Sequence, residues 1–183
     1  MSFSNLYNYD FFIILYNFNE CMNYIHNLTS MKSTIIFERA SVDYVNEDYL
    51  TGLKVNVRRY GRKSGYYVNL EGTIKHTWGN NISFHVILYE YLHNEYKRTF
   101  IEFHFKGGCD MLKSDPYLGK AVANTGVKCP APPGFYQLAN MTIPFEDFPY
   151  VWPFERARGV GIVTCGDVVI GNASLYLKFV QKE

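Results

Sequence analysis

The sequence predicts an all-β domain: an antiparallel β-sandwich or β-cup of about eight strands with one short helical crossing. Three observations carry that expectation. From about residue 32 onward, apolar and polar residues alternate with period two, as strands with one dry and one wet face require. Aromatic residues, which favour strands, reach 17%, with 16 Tyr and 14 Phe. Two long alternating arms flank His93-Asn94-Glu95, which reads as a hairpin. Internal repeats and heptads are absent from the sequence.

A first strand is predicted over 34–40. In the next, Leu53, Val55 and Val57 alternate with Lys54, Asn56 and Arg58. The turn Gly61-Arg62-Lys63-Ser64-Gly65 follows, with glycine freedom at both ends. Val68, Leu70, Ile74 and Trp78 then alternate with Asn69, Glu71, Thr73 and Lys75. Gly72 interrupts the apolar face, which predicts a bulge or the close approach of another backbone. The hairpin arms run over 82–92 and 96–106. Val68, Leu70, Ile74, Phe84, Val86, Leu88, Ile101, Phe103 and Phe105 should face inward, and Glu71, Lys75 and Glu102 outward. Residues 109–122 lose the alternation and predict the helical crossing, interrupted near Pro116. Strand signals return over 135–143, 159–165 and 175–180.

Composition narrows the function. With 48% hydrophobic and 19% charged residues the chain is globular, and 183 residues suffice for one domain with a sizeable core. A net charge of +1 gives no field for nucleic acid or an anionic surface. No run of 18 apolar residues offers a transmembrane helix. Four N-glycosylation sequons begin at Asn27, Asn81, Asn140 and Asn172, a mild excess over chance that points to the secretory pathway. Residues 1–30 differ from the rest, being rich in Asn and Tyr. Their apolar run, Phe11 to Tyr16, is short, lacks a preceding basic residue and abuts Asp10. The segment reads either as a poor signal peptide or as an artefact of the start site, with the domain proper at 31–183.

The segment Cys129-Pro130-Ala131-Pro132-Pro133-Gly134-Phe135-Tyr136-Gln137-Leu138 resembles the Cys-Pro…Gly-x-Tyr-x-Leu stretch of the ganglioside-activator branch of the ML-type lipid-recognition β-cup family. The likeness continues through Ile143-Pro144 and a closing strand ending Leu175-Tyr176-Leu177-Lys178. Upstream, Cys109-Asp110-Met111-Leu112 resembles the Cys-Asp-x-Leu that precedes the Cys-Pro in that family. Tyr60-Gly61-Arg62-Lys63 and Tyr67-Val68-Asn69-Leu70-Glu71-Gly72 are similar to insect secreted relatives, the CheA/CheB-type chemosensory proteins. Together these stretches span roughly 34–181. The resemblance implies a secreted cup whose interior holds an acyl chain or similar apolar molecule, in chemosensation or lipid presentation. It departs in its cysteines. The family has more of them, and Cys165 has either Cys21 or nothing as partner.

With the resemblance and the sequons, Cys109 and Cys129 are expected to form a disulfide, worth about 3 kcal/mol in the chain-entropy picture. The expected pocket lies between the sheets, lined by Trp78, Leu88, Phe103 and Phe105. Phe148, Tyr150 and Trp152 stand at its mouth in the proline-limited loop 144–154, which also holds Phe145 and Phe154. That loop reads either as a cavity rim that touches membrane or as a lid folded onto an ordinary core.

Other clusters read as structural. Arg58, Arg59, Arg62 and Lys63 read as a solvated turn. His76, His85 and His104 lie on strands with no carboxylate or cysteine spacing beside them, so no metal is expected. Gly159-Val160-Gly161 lacks a dinucleotide fingerprint, and no Gly-x-Ser-x-Gly elbow exists, so neither a cofactor nor an enzyme is expected. Two functions remain. One is a carrier of a lipid or other apolar small molecule, meeting a membrane surface transiently and a receptor or enzyme as partner. The other is a secreted protein-interaction module with a filled core.

Overall fold

The computed structural model describes residues 32–62, 64–143 and 153–182. They form eight antiparallel strands in two sheets with two short helices, an all-β sandwich. The strands are β1 (Lys32–Val45), β2 (Leu50–Arg59), β3 (Tyr66–Ile74), β4 (Ile82–Leu92), β5 (Glu95–Lys106), β6 (Gly134–Met141), β7 (Arg156–Cys165) and β8 (Val168–Lys182). The helices, α1 (Gly108–Ser114) and α2 (Leu118–Ala123), lie between β5 and β6. One sheet runs β1-β8-β7-β4-β5 and the other β2-β3-β6.

The inner faces follow the alternation. Phe37, Val68, Leu88, Phe154, Ala157, Leu177 and Phe179 form one buried apolar cluster. Leu50, Ile74, Ile82, Ala131 and Ile170 form a second. Burial of this kind contributes about 25 cal/mol per Å² of apolar surface and is the main force joining the sheets. Outward, Lys54 pairs with Glu71 at 2.9 Å across β2 and β3, both on the face where the alternation puts them.

Local departures have local causes. The hairpin turn is the two-residue His93-Asn94, one residue shorter than expected, with φ of 52° and 64°. Positive φ at both positions is the type I′ geometry, whose twist matches the strands. Gly72 meets both expectations. A Cβ there would sit 3.3 Å from Leu50 Cδ1 and 3.4 Å from Leu53 Cα, and the β2–β3 pairing slips opposite it, between Thr51 and Lys54. β1 and β8 run well beyond the predicted 34–40 and 175–180. Their pairing is interrupted between Phe37 and Arg39 and between Val42 and Tyr44. Each slip shifts the phase of the alternation, so a period-two reading loses the strand there.

The crossing splits into two helices at 115–117, where Pro116 cannot continue α1. Asp115 Oδ1 accepts the Gly119 amide at 2.9 Å and so opens α2. Gly119 lets the helices touch, since a Cβ there would lie 2.0 Å from the Met111 carbonyl oxygen. Cys109 and Cys129 form the expected disulfide, with Cα atoms 5.3 Å apart. It staples the start of α1 to the approach to β6, next to the bridge between Trp78 and Ala131.

Candidate functional site

The sheets draw together along β1, which lies against β2 and β3. That places β5 and β6 at the opposite edge, where α1 meets β4 and β5 and α2 meets β6. Here the inner faces of both sheets carry apolar residues. Phe84 stands opposite Phe105 and Val86 opposite Phe103 on β4–β5, and Leu70 stands opposite Leu138 on β3–β6. Burial varies across the interior: Ile35 and Leu175 on the β1–β8 side are half-buried, while Ile82 and Leu88 on β4 are buried. Phe37, Leu177 and Phe179 on the β1–β8 side are buried, whereas Phe84, Val86, Phe103, Phe105, Leu70, Tyr136 and Leu138 are only half-buried although they face inward.

The four strand residues expected to line a pocket are distributed along this interior. Leu88 is buried in the first cluster, and Phe103 packs against that cluster. Trp78 packs against the second cluster, and Phe105 pairs with Phe84, which packs there too. Trp78 lies past the end of β3 rather than within it, exchanging backbone hydrogen bonds with Ala131 at 2.9 and 2.8 Å. Its indole Nε1 is buried without a hydrogen-bond partner among the described residues. Phe148, Tyr150 and Trp152 lie outside the described residues. Phe154, at the end of that loop, is buried edge-on against Phe179 with ring centroids 5.3 Å apart, so this ring belongs to the core.

The outer face of the five-stranded sheet has a different chemistry. His85 and His104 are direct cross-strand partners, and their rings stack with centroids 3.7 Å apart. Glu102 Oε2 lies 3.1 Å from His85 Nε2 and 3.4 Å from His104 Nε2. Arg98 donates to the other carboxylate oxygen, Oε1, from Nε at 3.2 Å and from its terminal nitrogen. The sequence predicts no carboxylate spacing beside these histidines, yet Glu102 stands two residues before His104 on the same face, and the register of β4 against β5 brings it to His85. Hydrogen bonds from Arg98, then from His85, hold the Glu102 carboxyl below its ordinary range, and Glu102 in turn raises the Arg98 guanidinium. Nearby, Arg39 lies 3.4 Å over the Tyr176 ring and Arg158 lies 4.7 Å over Tyr89. Burial raises the Tyr96 hydroxyl, with Arg39 opposing it.

The described part of the basic turn is solvated, and Lys63 lies outside the described residues. Arg58, Arg59 and Arg62 are exposed, and Arg59 is occupied in holding the Arg62 and Ser64 carbonyls. Of the sequon asparagines, Asn81 and Asn140 are exposed, Asn172 is half-buried on β8, and Asn27 is outside the described residues. Cys165 has no disulfide partner among the described residues, Cys21 lying outside them, and its Sγ accepts a hydrogen bond from Asn81 Nδ2 at 3.6 Å. Among the described residues no helix is long and apolar enough to cross a membrane. No known protein-family profile matches the chain, and no curated protein matches it.

Proposed function

We propose that this protein is a secreted carrier of a lipid or other apolar small molecule, held between the two sheets on the β5–β6 side. The observation that carries this reading is the half-burial of the inward-facing rings Phe84, Phe103, Phe105 and Tyr136. A sandwich that closes fully, with side chains interdigitating at about 10 Å, leaves such residues dry. Partly open apolar surface on an inner face is what an acyl chain would cover. The disulfide supports an oxidising compartment, and exposed Asn81 and Asn140 fit glycan attachment. The short motifs around Cys109 and Cys129 support membership of the ML-type family. Loop 144–154, with Phe148, Tyr150 and Trp152, is proposed as the mouth and as the part that meets a membrane transiently.

The test is direct. Solvent extraction of the purified glycosylated protein should release a lipid visible by mass spectrometry, and the stripped protein should take up a fluorescent fatty acid. Phe148→Ala/Trp152→Ala should weaken that uptake with the fold intact. A wild-type protein that takes up no apolar probe returns the reading to a protein-interaction module. Phe100 favours that second reading, because it stands 91% exposed on edge strand β5.

A further inference from the structure

We propose that His85, Glu102 and His104 form a binding site for one borderline divalent metal ion of the zinc class, on the outer face of the five-stranded sheet. This site is separate from the apolar interior and uses none of its residues.

The donor atoms stand close enough together to converge on one ion. All three ligand atoms lie within 4.8 Å of one another. Metal–donor distances of 2.0–2.2 Å in tetrahedral geometry place neighbouring donors about 3.3 Å apart. The two histidine nitrogens stand 3.1 and 3.4 Å from the Glu102 oxygen. Binding asks for the rings and the Glu102 carboxylate to reorient so that the three donors converge on one point instead of on each other.

The scaffold holds those positions. β4 is hydrogen-bonded to β5 on one side and β7 on the other, so the His85 backbone is fixed from both. His104 is its direct partner, and Glu102 lies two residues earlier on the same face. Arg98 occupies Oε1 and leaves Oε2 turned toward the rings, as an outer-shell partner that orients a ligating carboxylate. On the β7 side the row is apolar, since His85 pairs with Ile162 and the next residue inward along that face, Ile87, is buried.

The donor set selects the ion. Two imidazoles and one carboxylate suit zinc, copper, nickel or iron, whereas calcium and magnesium require a shell of oxygens. Three protein ligands leave a coordination position open. His104, with 59% of its side chain exposed, puts that position at the solvent boundary, where water or an anionic ligand would complete the shell.

The test uses the full chain with Cys21→Ser and Cys165→Ser, which removes the two cysteines outside the Cys109–Cys129 disulfide as competing ligands. Chelator-stripped protein titrated with zinc against a chromophoric indicator should take up one ion per chain, and calcium should not compete. Cobalt(II) in place of zinc should give the visible absorption of low-symmetry nitrogen and oxygen coordination. His104→Gln, at an exposed position, should weaken zinc by about tenfold or more and remove the cobalt band, with the circular dichroism spectrum unchanged. Zinc affinity unchanged in both His104→Gln and His85→Gln/His104→Gln would overturn the site. So would a wild-type chain that takes up no zinc, or one in which calcium displaces it.

Discussion

The two faces of the five-stranded sheet are built from the same strands and obey different rules. On the inner face Leu88, Ala157, Leu177 and Phe179 act together through area, and any one of them matters because it fills space. On the outer face His85, Glu102, His104 and Arg98 act through pairs of named atoms, and each matters for what it donates or accepts. Stability should therefore be concentrated inside and specific chemistry outside.

Substitution can break that contrast. The largest expected effect is inside. Phe179→Ala removes a buried ring that packs on Phe154 and should cost about 3–5 kcal/mol in urea unfolding. Phe103→Ala, at a half-buried inner position, should cost clearly less; an equal loss would mean that the β5 side is as dry as the β8 side. Next comes the staple. Cys109→Ser/Cys129→Ser should cost about 3 kcal/mol, read from the same denaturant midpoint. Ser174→Ala tests the outer face at its most buried point. This hydroxyl is fully inaccessible and donates to Asp43 Oδ2, so about 1–2 kcal/mol should be lost.

The smallest expected effect is the dependence on pH. Glu102 has its carboxyl held below its unfolded value by Arg98 and His85, so the pairing stabilises the fold above the unfolded pKa. That contribution disappears as pH falls through the lower, folded value. In chelator, Glu102→Gln should be less stable than wild type at neutral pH, and the two unfolding midpoints should converge below about pH 4. A constant gap down to acid pH would assign the loss to geometry and not to charge.

Much of the inner face was legible in the sequence. Phe84, Val86 and Leu88 on one arm and Ile101, Phe103 and Phe105 on the other keep period two, although Ile87 between two of them is itself apolar, and strand pairing sets all six on the inner face. The ends of β1 and β8 were not legible. Slips near Glu38 and Asp43 move the phase in β1, and in β8 Gly171 and Asn172 separate the apolar start Val168-Val169-Ile170 from the later alternation, with a further slip at Ile170. The candidate lining was legible as a set of inward residues but not as a place, because alternation gives the side of a strand and not the position along it. Trp78 shows the difference, standing beyond β3 near Ala131 while Leu88 lies in the other cluster. The histidine cluster was missed for a related reason. Each strand alone shows a histidine or a His–Glu pair at period two, and only the pairing of the arms brings them together.

That pairing turns on one irregularity in β5. Counted back from the His93-Asn94 turn, Tyr89 faces Arg98, yet Ile87 faces Glu102, so β5 carries two residues more than β4 in between. Thr99 anchors the excess by donating to the Leu88 carbonyl at 2.9 Å, and Phe100 is extruded. An excess of two conserves parity: every residue beyond it keeps its side of the sheet while its opposite number changes. Without the excess His85 would face Glu102; with it, His85 faces His104 and Glu102 moves to the neighbouring row. The hairpin can thus be edited in pairs of residues, exchanging the partners on one face without exposing the other. A single inserted residue would turn Phe103 and Phe105 out to solvent and bring His104 inside.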